Sequence, residues 1–357
     1  MFEDIISAFG LSTDLYRVES FGSGLINSTW KISGPGSQYI LQQINKHVFK
    51  TPLDIADNLV ILEKYLQATA PSYLFTSPLP ALNGQYLVVH SSDYYRLSPF
   101  INNSHTVDFI TQSQQAYEAA KQFGKFTRLL NGFDPQQLRY TLPDFHNLNL
   151  RVEQFKAALL KADKEVLNLA AAEIKQVEDN ITIADVYAQL VQDQQIPLRV
   201  IHHDTKINNV LFDDNDNGLC VIDLDTVMPG YYISDVGDMM RTYLSAANEE
   251  EKDLDKIKIR EDYFMAVYKG YMEEMGGVLT PAEKNLFFYS GKFMIYMQAI
   301  RFLTDFLNGD VYYHTSYPGH NLLRAQNQLT LLKRYLQSEE NLQKAISSLE
   351  KKYTNAI

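Results

Sequence analysis

Apolar and polar positions alternate over residues 14–44, a stretch rich in Gly, Ser and β-branched or aromatic side chains. Tyr16-Arg-Val18, Thr29-Trp-Lys-Ile32 and Tyr39-Ile-Leu41 therefore read as short strands joined by glycine turns. Over residues 54–67 the period lengthens, with Ile55, Leu59, Leu62 and Leu66 on one helical face. Gly84–His90 and Asp93–Leu97 return to strand patterning, and Pro99-Phe-Ile101 leads out of it. Helical spacing then dominates. A helix is predicted over Gln114–Leu130 with Gly132 as its C-terminal cap, and residues 149–192 are helical in pattern. Only Val200–Asp225 interrupts this, as an apolar strand, a polar loop and two further apolar runs. Thr280-Pro-Ala-Glu283 carries the signature of a capping box with Pro at the first helical position, and the helix it opens is expected to end at Asn308-Gly309. The pattern predicts an α+β, bilobal chain: a small, mostly antiparallel β lobe with one helix over residues 1–98, and a larger, mainly helical lobe over 99–357.

Composition narrows the picture. A length of 357 residues suits two lobes, and 45% hydrophobic against 21% charged residues suits packed cores. The net charge of -11 argues against a nonspecific nucleic-acid binder. The lone Cys220 cannot form an internal disulfide and reads as a small buried hydrophobe. Met1–Gly10 lacks the pattern of a secretory signal, and the most apolar run, Leu286–Leu303, contains Lys292, Gln298 and Arg301, so neither export nor a membrane partner is expected. A cytoplasmic location follows as the expectation.

The chemistry lies in the interruption. Asp204 follows His202 and His203, Asn209 comes five residues later, and Asp223 and Asp225 close the next hairpin. Kinase catalytic loops place a base Asp and a metal-binding Asn at this separation, with a second metal-binding Asp past the following hairpin. Asp204 is thus the candidate acceptor for the proton of an attacking hydroxyl, and Asn209 and Asp223 are candidate magnesium ligands. His202 is expected to brace the loop and Asp235 to support it from the start of the next helix, while His203 is left open between bracing the loop, exchanging protons with substrate, and neither. Gly22 and Gly24 would let backbone N–H groups approach a phosphate, although G-x-G also marks ordinary hairpins. Asp213-x-Asn215-x-Asn217-Gly218 opens like a calcium-binding loop, but Leu224 stands where that loop needs a bidentate Glu, and the segment reads as a hairpin turn.

Gly22-Ser-Gly24-Leu-Ile-Asn27, His202-His-Asp-Thr-Lys-Ile-Asn-Asn209, Ile222-Asp-Leu-Asp-Thr-Val-Met-Pro-Gly230 and Ser234-Asp-Val-Gly-Asp238 together resemble the aminoglycoside phosphotransferase/choline kinase superfamily. Within it the chain is most similar to the N-acetylhexosamine 1-kinases, a likeness that extends through Tyr39–Asn45, Arg301-Phe-Leu303, Gly309–Tyr312 and Tyr317–Asn321. The resemblance implies a protein-kinase-like fold binding ATP and Mg2+, and phosphorylation of the anomeric hydroxyl of N-acetylglucosamine or N-acetylgalactosamine. It implies Gly22, Ser23 and Gly24 at the nucleotide, Asp204 as catalytic residue, Asn209 and Asp223 on magnesium, and Asp204, Lys206, Asp223, Arg301 and Tyr312 at the sugar. Without it, Arg301 reads as a helix-surface ion pair and Tyr312 as a core aromatic. Two departures stand out: Gln42 and Gln43 occupy the place of the kinase strand lysine, and Leu25 replaces a histidine of the sugar kinases. Competing readings are a kinase for another small alcohol (an aminoglycoside, choline or homoserine), and a nucleotide-binding pseudokinase. An acidic or aromatic pocket would mark the first, and loss of Asp204, Asn209 or Asp223 the second.

Overall fold

The computed structural model describes residues 2–354 other than Ser23 and Leu25, with side chains as far as Lys351. The small lobe begins with a short helix that the sequence pattern did not suggest, α1 (Phe2–Ala8), which buries Ile5 and Ile6. Five antiparallel strands follow: β1 (Arg17–Ser20), β2 (Ser28–Gly34), β3 (Ser37–Ile44), β4 (Val88–His90) and β5 (Asp93–Pro99), in the order β1-β2-β3-β5-β4. Strand β4 is shorter than expected. Gly84 takes a left-handed φ of 81° in a turn closed by Gly84 N–H on the Ala81 carbonyl, so pairing starts only at Val88. Leu41 pairs with Leu97 and Gln42 with Arg96, and the two-residue alternation separates their tasks. Ile32, Leu41 and Leu97 pack with Ile5 and Ile6 beneath the sheet, while Ile40, Gln42, Arg96 and Ser98 line the cleft.

Helix α2 (Pro52–Thr69) presents Ile55, Leu59, Leu62 and Leu66 to the larger hydrophobic core. Its buried Asn58 accepts from Arg139 N–H (2.8 Å) and donates to the Arg139 carbonyl (2.8 Å), fixing the helix to the large lobe.

In the large lobe, α3 (Ser113–Leu129) packs along α9 (Glu261–Met275). Gly132, expected as a left-handed cap, is absent from the positive-φ residues. A Cβ there would lie 2.6 Å from the Tyr65 hydroxyl, so close approach explains this glycine. The helical stretch 149–192 is broken into α4 (Leu148–Lys161), α5 (Lys164–Leu169), α6 (Ala171–Asp179) and α7 (Thr182–Gln192). Then come β6 (Arg199–Ile201), β7 (Val210–Phe212), β8 (Gly218–Val221) and β9 (Met228–Gly230), paired β6 with β9 and β7 with β8. The β7–β8 turn is the Asp213 segment, whose Oδ1 accepts from Asn215 N–H (2.8 Å) and Asn217 N–H (2.9 Å).

Helix α8 (Tyr232–Tyr243) follows directly. The Thr280–Glu283 capping box is formed in both directions, but it opens only the short α10 (Pro281–Asn285); a break at Leu286 starts a separate α11 (Phe287–Leu307). Helices α12 (His320–Gln337) and α13 (Glu339–Thr354) close the chain. Phe293 through Met297, Ala299 and Ile300 on α11 are buried among α4, α8 and α12, so a helix apolar on all sides is here the centre of a core. Among the described residues no helix is long and apolar enough to cross a membrane.

Candidate active site

Strand β6 ends at the loop His202–Asn209, and α8 holds that loop from behind. The Asp235 carboxylate, in the first turn of α8, accepts His202 N–H at 2.9 Å and His203 N–H at 2.7 Å. Asp238 accepts Thr205 N–H (2.9 Å), and the Tyr243 hydroxyl donates to the Thr205 carbonyl (2.6 Å). His203 sits at φ 68°, a left-handed conformation that costs a non-glycine residue energy and turns the chain so that Asp204 leaves the strand direction. His202 Nε2–H donates to the Ile222 carbonyl (2.9 Å) while its Nδ1 accepts Asp204 N–H (3.3 Å), which settles the tautomer. Burial holds His202 below its ordinary pKa and, with His202 beside it, pushes His203 down to about 3. Both histidines are neutral braces at physiological pH.

Asp204 projects from this loop with 24% of its side chain exposed, and Lys206 Nζ stands 3.3 Å from its Oδ1. Burial alone would raise the Asp204 carboxyl; the Lys206 ammonium, with His202 and Arg241, outweighs it and keeps the group below the usual carboxylate value. Asp204 is therefore ionised at neutral pH. The Asn209 amide donates to the Asp204 carbonyl (2.9 Å), and among the described residues nothing donates to its own Oδ1.

Across the cleft the two hairpin aspartates part company. Asp225 is 2% exposed, ion-paired with Arg96 and bonded by Asn27 Nδ2 at 2.7 Å. Asp223, at φ 58°, opens onto a cavity of about 360 Å³ that Asn209 also lines. Enclosure by the cleft walls, then repulsion from Asp225 and Asp204, push Asp223 up to about 7 against Arg96 and Lys206. Solvent still reaches the Asp223 side chain. That accessibility weighs more than the enclosure in judging what the site admits, and the repulsion is what a cation would relieve. Among the described residues no three His, Cys, Asp or Glu side chains converge. A divalent ion here would take Asp223, the side-chain amide oxygen of Asn209 and oxygens of a bound ligand, a donor set suited to Mg2+.

The upper wall of the same cavity is made by Gly22, Gly24, Ile40 and Phe100. Gly22 has φ 77°, a conformation that favours glycine, and Ser23 and Leu25 lie outside the described residues.

Arg301 and Tyr312 line a different cavity, of about 370 Å³, together with Arg151, Lys161 and Asp305. Arg301 reaches Gln298 Oε1 at 3.3 Å and lies over the rings of Phe145, Tyr312 and Tyr313, rather than in a surface ion pair. Tyr312 is 72% exposed, not a core aromatic. A stack joins this cavity to the loop: Phe145 lies 4.4 Å from His146, and His146 5.4 Å from His203. Asp305 accepts the N–H groups of Val311, Tyr312 and Tyr313 and the Asn321 amide (2.9 Å), so its oxygens are engaged locally while its charge remains.

The arrangement has relatives. The model of the phosphotransferase enzyme family matches residues 17–263, well over half the chain. The chain belongs to the phosphotransferase enzyme family. Its fold resembles the aminoglycoside phosphotransferase of Alicyclobacillus acidocaldarius (TM-score 0.67, 11% identity, 97% of this chain and 96% of that one). A microcompartment-associated aminopropanol kinase is also similar (TM-score 0.65, 14% identity, 94% and 97% covered), as is a spectinomycin phosphotransferase solved with ADP and spectinomycin (TM-score 0.59, 14% identity, 94% and 97% covered). At these identities the likeness is one of fold: a bilobal, kinase-like α+β architecture.

In this phosphotransferase several site residues escape a reading by spacing. Arg96, Asn27 and Asp225 meet from three separate segments. The one local signal was the charged side chain of Arg96 between Tyr95 and Leu97 in β5. Arg151 and the Phe145-His146 stack carried none.

Proposed function

We propose that the protein transfers the γ-phosphoryl group of ATP to the anomeric hydroxyl of an N-acetylhexosamine, giving a sugar 1-phosphate. The observation that carries the choice of acceptor is the second cavity: Arg151, Lys161, Arg301 and an exposed Tyr312 meet there, with Asp305 as the one carboxylate among the lining residues and its oxygens already taken by N–H donors. Such a wall repels choline- or aminoglycoside-like cations and suits a neutral, oxygen-rich ligand, to which guanidinium groups donate and on which a tyrosine stacks.

In this reading residues 1–98 form the nucleotide lobe and 99–357 the catalytic and acceptor lobe. The backbone of Gly22 and Gly24 covers the phosphates, and Asn209 and Asp223 hold Mg2+, which supplies charge neutralisation at the phosphates when bound. The sugar hydroxyl oxygen bonds to the γ-phosphorus, the bond to the ADP oxygen breaks, and the hydroxyl proton passes to Asp204. An ionised carboxylate held below its usual pKa is adequate for this, because a loose transition state leaves the hydroxyl largely protonated until late. Lys206, Arg301 and Tyr312 orient the sugar, and His202 and Asp235 hold the loop.

The test is incubation with Mg-ATP and a panel of N-acetylglucosamine, N-acetylgalactosamine, glucosamine, choline, aminopropanol and an aminoglycoside, with products identified by phosphorus NMR. An anomeric phosphate on an N-acetylhexosamine is expected. Phosphate on C6, or turnover of amino alcohols alone, would sink the proposal.

A further inference from the structure

Protein kinases grip the nucleotide phosphates with a lysine on the third strand of the small lobe, paired to a glutamate on the adjoining helix. At the cleft-facing place on β3 this chain has Gln42, which carries no charge. Directly opposite, in register on β5, stands Arg96. Among the described residues it is the one lysine or arginine lining the nucleotide cavity.

We propose that Arg96 is the phosphate-binding cation of this enzyme, carried on β5 and aimed by Gln42. The assignment rests on the nucleotide-binding reading given above. Gln42 Oε1 accepts both Arg96 Nε–H (3.0 Å) and Nη2–H (2.8 Å), and the Gln42 amide group donates to Thr29 Oγ1 (3.3 Å). The glutamine is thereby oriented oxygen-first toward the guanidinium and fixes its plane. Asp225 supplies the counter-charge against Nη1, and is itself held by Asn27 Nδ2 (2.7 Å), whose Oδ1 takes Asn45 N–H (2.9 Å). A guanidinium has five N–H groups. Gln42 engages two and Asp225 faces a third, so two remain with no acceptor among the described residues, on a side chain only 5% exposed.

A mere clamp between lobes would not need this. A buried ion pair is commonly no more stabilising than a packed apolar pair, and spare buried donors add cost. Spare N–H groups on a side chain that lines the nucleotide cleft are what a diphosphate requires, because guanidinium forks match phosphate oxygens. Asp225 stands two residues beyond Asp223, so the same contact ties the sheet to the proposed magnesium-binding turn.

Calorimetric titration of wild type, Arg96→Met and Arg96→Met/Gln42→Lys with ATP, ADP and adenosine in Mg2+ tests the assignment. Arg96→Met is expected to weaken ATP and ADP by about 10- to 100-fold, the range of a lost charge-assisted contact, with adenosine held within about twofold. Lysine at position 42 is expected to return much of the loss. Should Arg96→Met not fold, Arg96→Lys keeps the charge against Asp225 and loses the planar fork; ADP should still weaken several-fold, by about 5-fold or more, with adenosine unchanged. Normal ADP binding in these variants, or equal losses for adenosine and ADP, overturns the assignment. A wild-type protein that binds no Mg-ATP overturns the kinase reading and the assignment with it.

Discussion

Asp235 is the side chain on which the geometry of the His202–Asn209 loop, the proposed catalytic loop, turns, and Asp235→Ala tests this directly. The substitution removes the acceptor of two buried backbone N–H groups, those of His202 and His203, now bonded at 2.9 and 2.7 Å. A buried donor left without a partner costs about 1–3 kcal/mol, so the pair should cost about 2–6 kcal/mol. Asp235→Asn keeps one acceptor and turns an N–H toward the other donor, so about half that loss is expected. The local consequence is sharper than the global one. His203 is held at φ 68°, a conformation costing about 1–2 kcal/mol, and with the clamp gone the loop gains by relaxing out of it. Asp204, the next residue, then moves, and a displacement of about 1 Å at a reacting group costs on the order of 100-fold in rate. Urea unfolding should show a lower midpoint in the order wild type, Asn, Ala, and steady-state kinetics should show kcat falling with little change in KM for ATP. Wild-type midpoint and kcat in Asp235→Ala would refute the reasoning, because no other described acceptor serves those two N–H groups.

Asp204→Asn keeps shape and removes the proposed proton acceptor, so kcat should fall by about 100- to 10,000-fold while calorimetric ATP binding changes little; near-normal turnover would remove Asp204 from its role. Enclosure and repulsion from Asp225 and Asp204 push the Asp223 carboxyl up to about 7, so a proton there competes with a cation. Apparent Mg2+ affinity should therefore fall about 10-fold per unit as pH drops below 7, with proton release on binding visible in buffers of different ionisation heat. The sign on stability is opposite: with its folded pKa raised, Asp223 stabilises the metal-free fold below its unfolded pKa, and that contribution is lost as pH rises through 7. Arg199, at the head of β6, makes two 2.8 Å bonds to the fully buried Glu283 carboxylate. Arg199→Met strands that charge and should cost about 3–5 kcal/mol by urea unfolding, part of which Arg199→Met/Glu283→Gln recovers.

Much of this protein is local in origin. The two-residue and helical periods along the chain marked β2, β3, β5, α2 and α3, because half-buried strands and helices must repeat their apolar positions at fixed intervals. The separations among Asp204, Asn209 and Asp223 were visible because one loop and one hairpin carry all three. The limits are equally physical. Gly237 reads as a poor helix residue until α8 and α11 cross, where a Cβ would collide with the Ser290 carbonyl. Helix α1 is too short for its period to show, and only the sheet above it gives Ile5 and Ile6 a reason to be buried. Spacing said nothing of Arg301 and Tyr312, which the family resemblance alone implied at the site of Asp204; packing set them around a second cavity, linked to the loop through Phe145 and His146. The charge missing from β3 was legible as Gln42. That Arg96 stands beside it was not, since strand register and the approach of Asp225 from the other lobe depend on contacts between segments far apart in the chain, which no local pattern encodes.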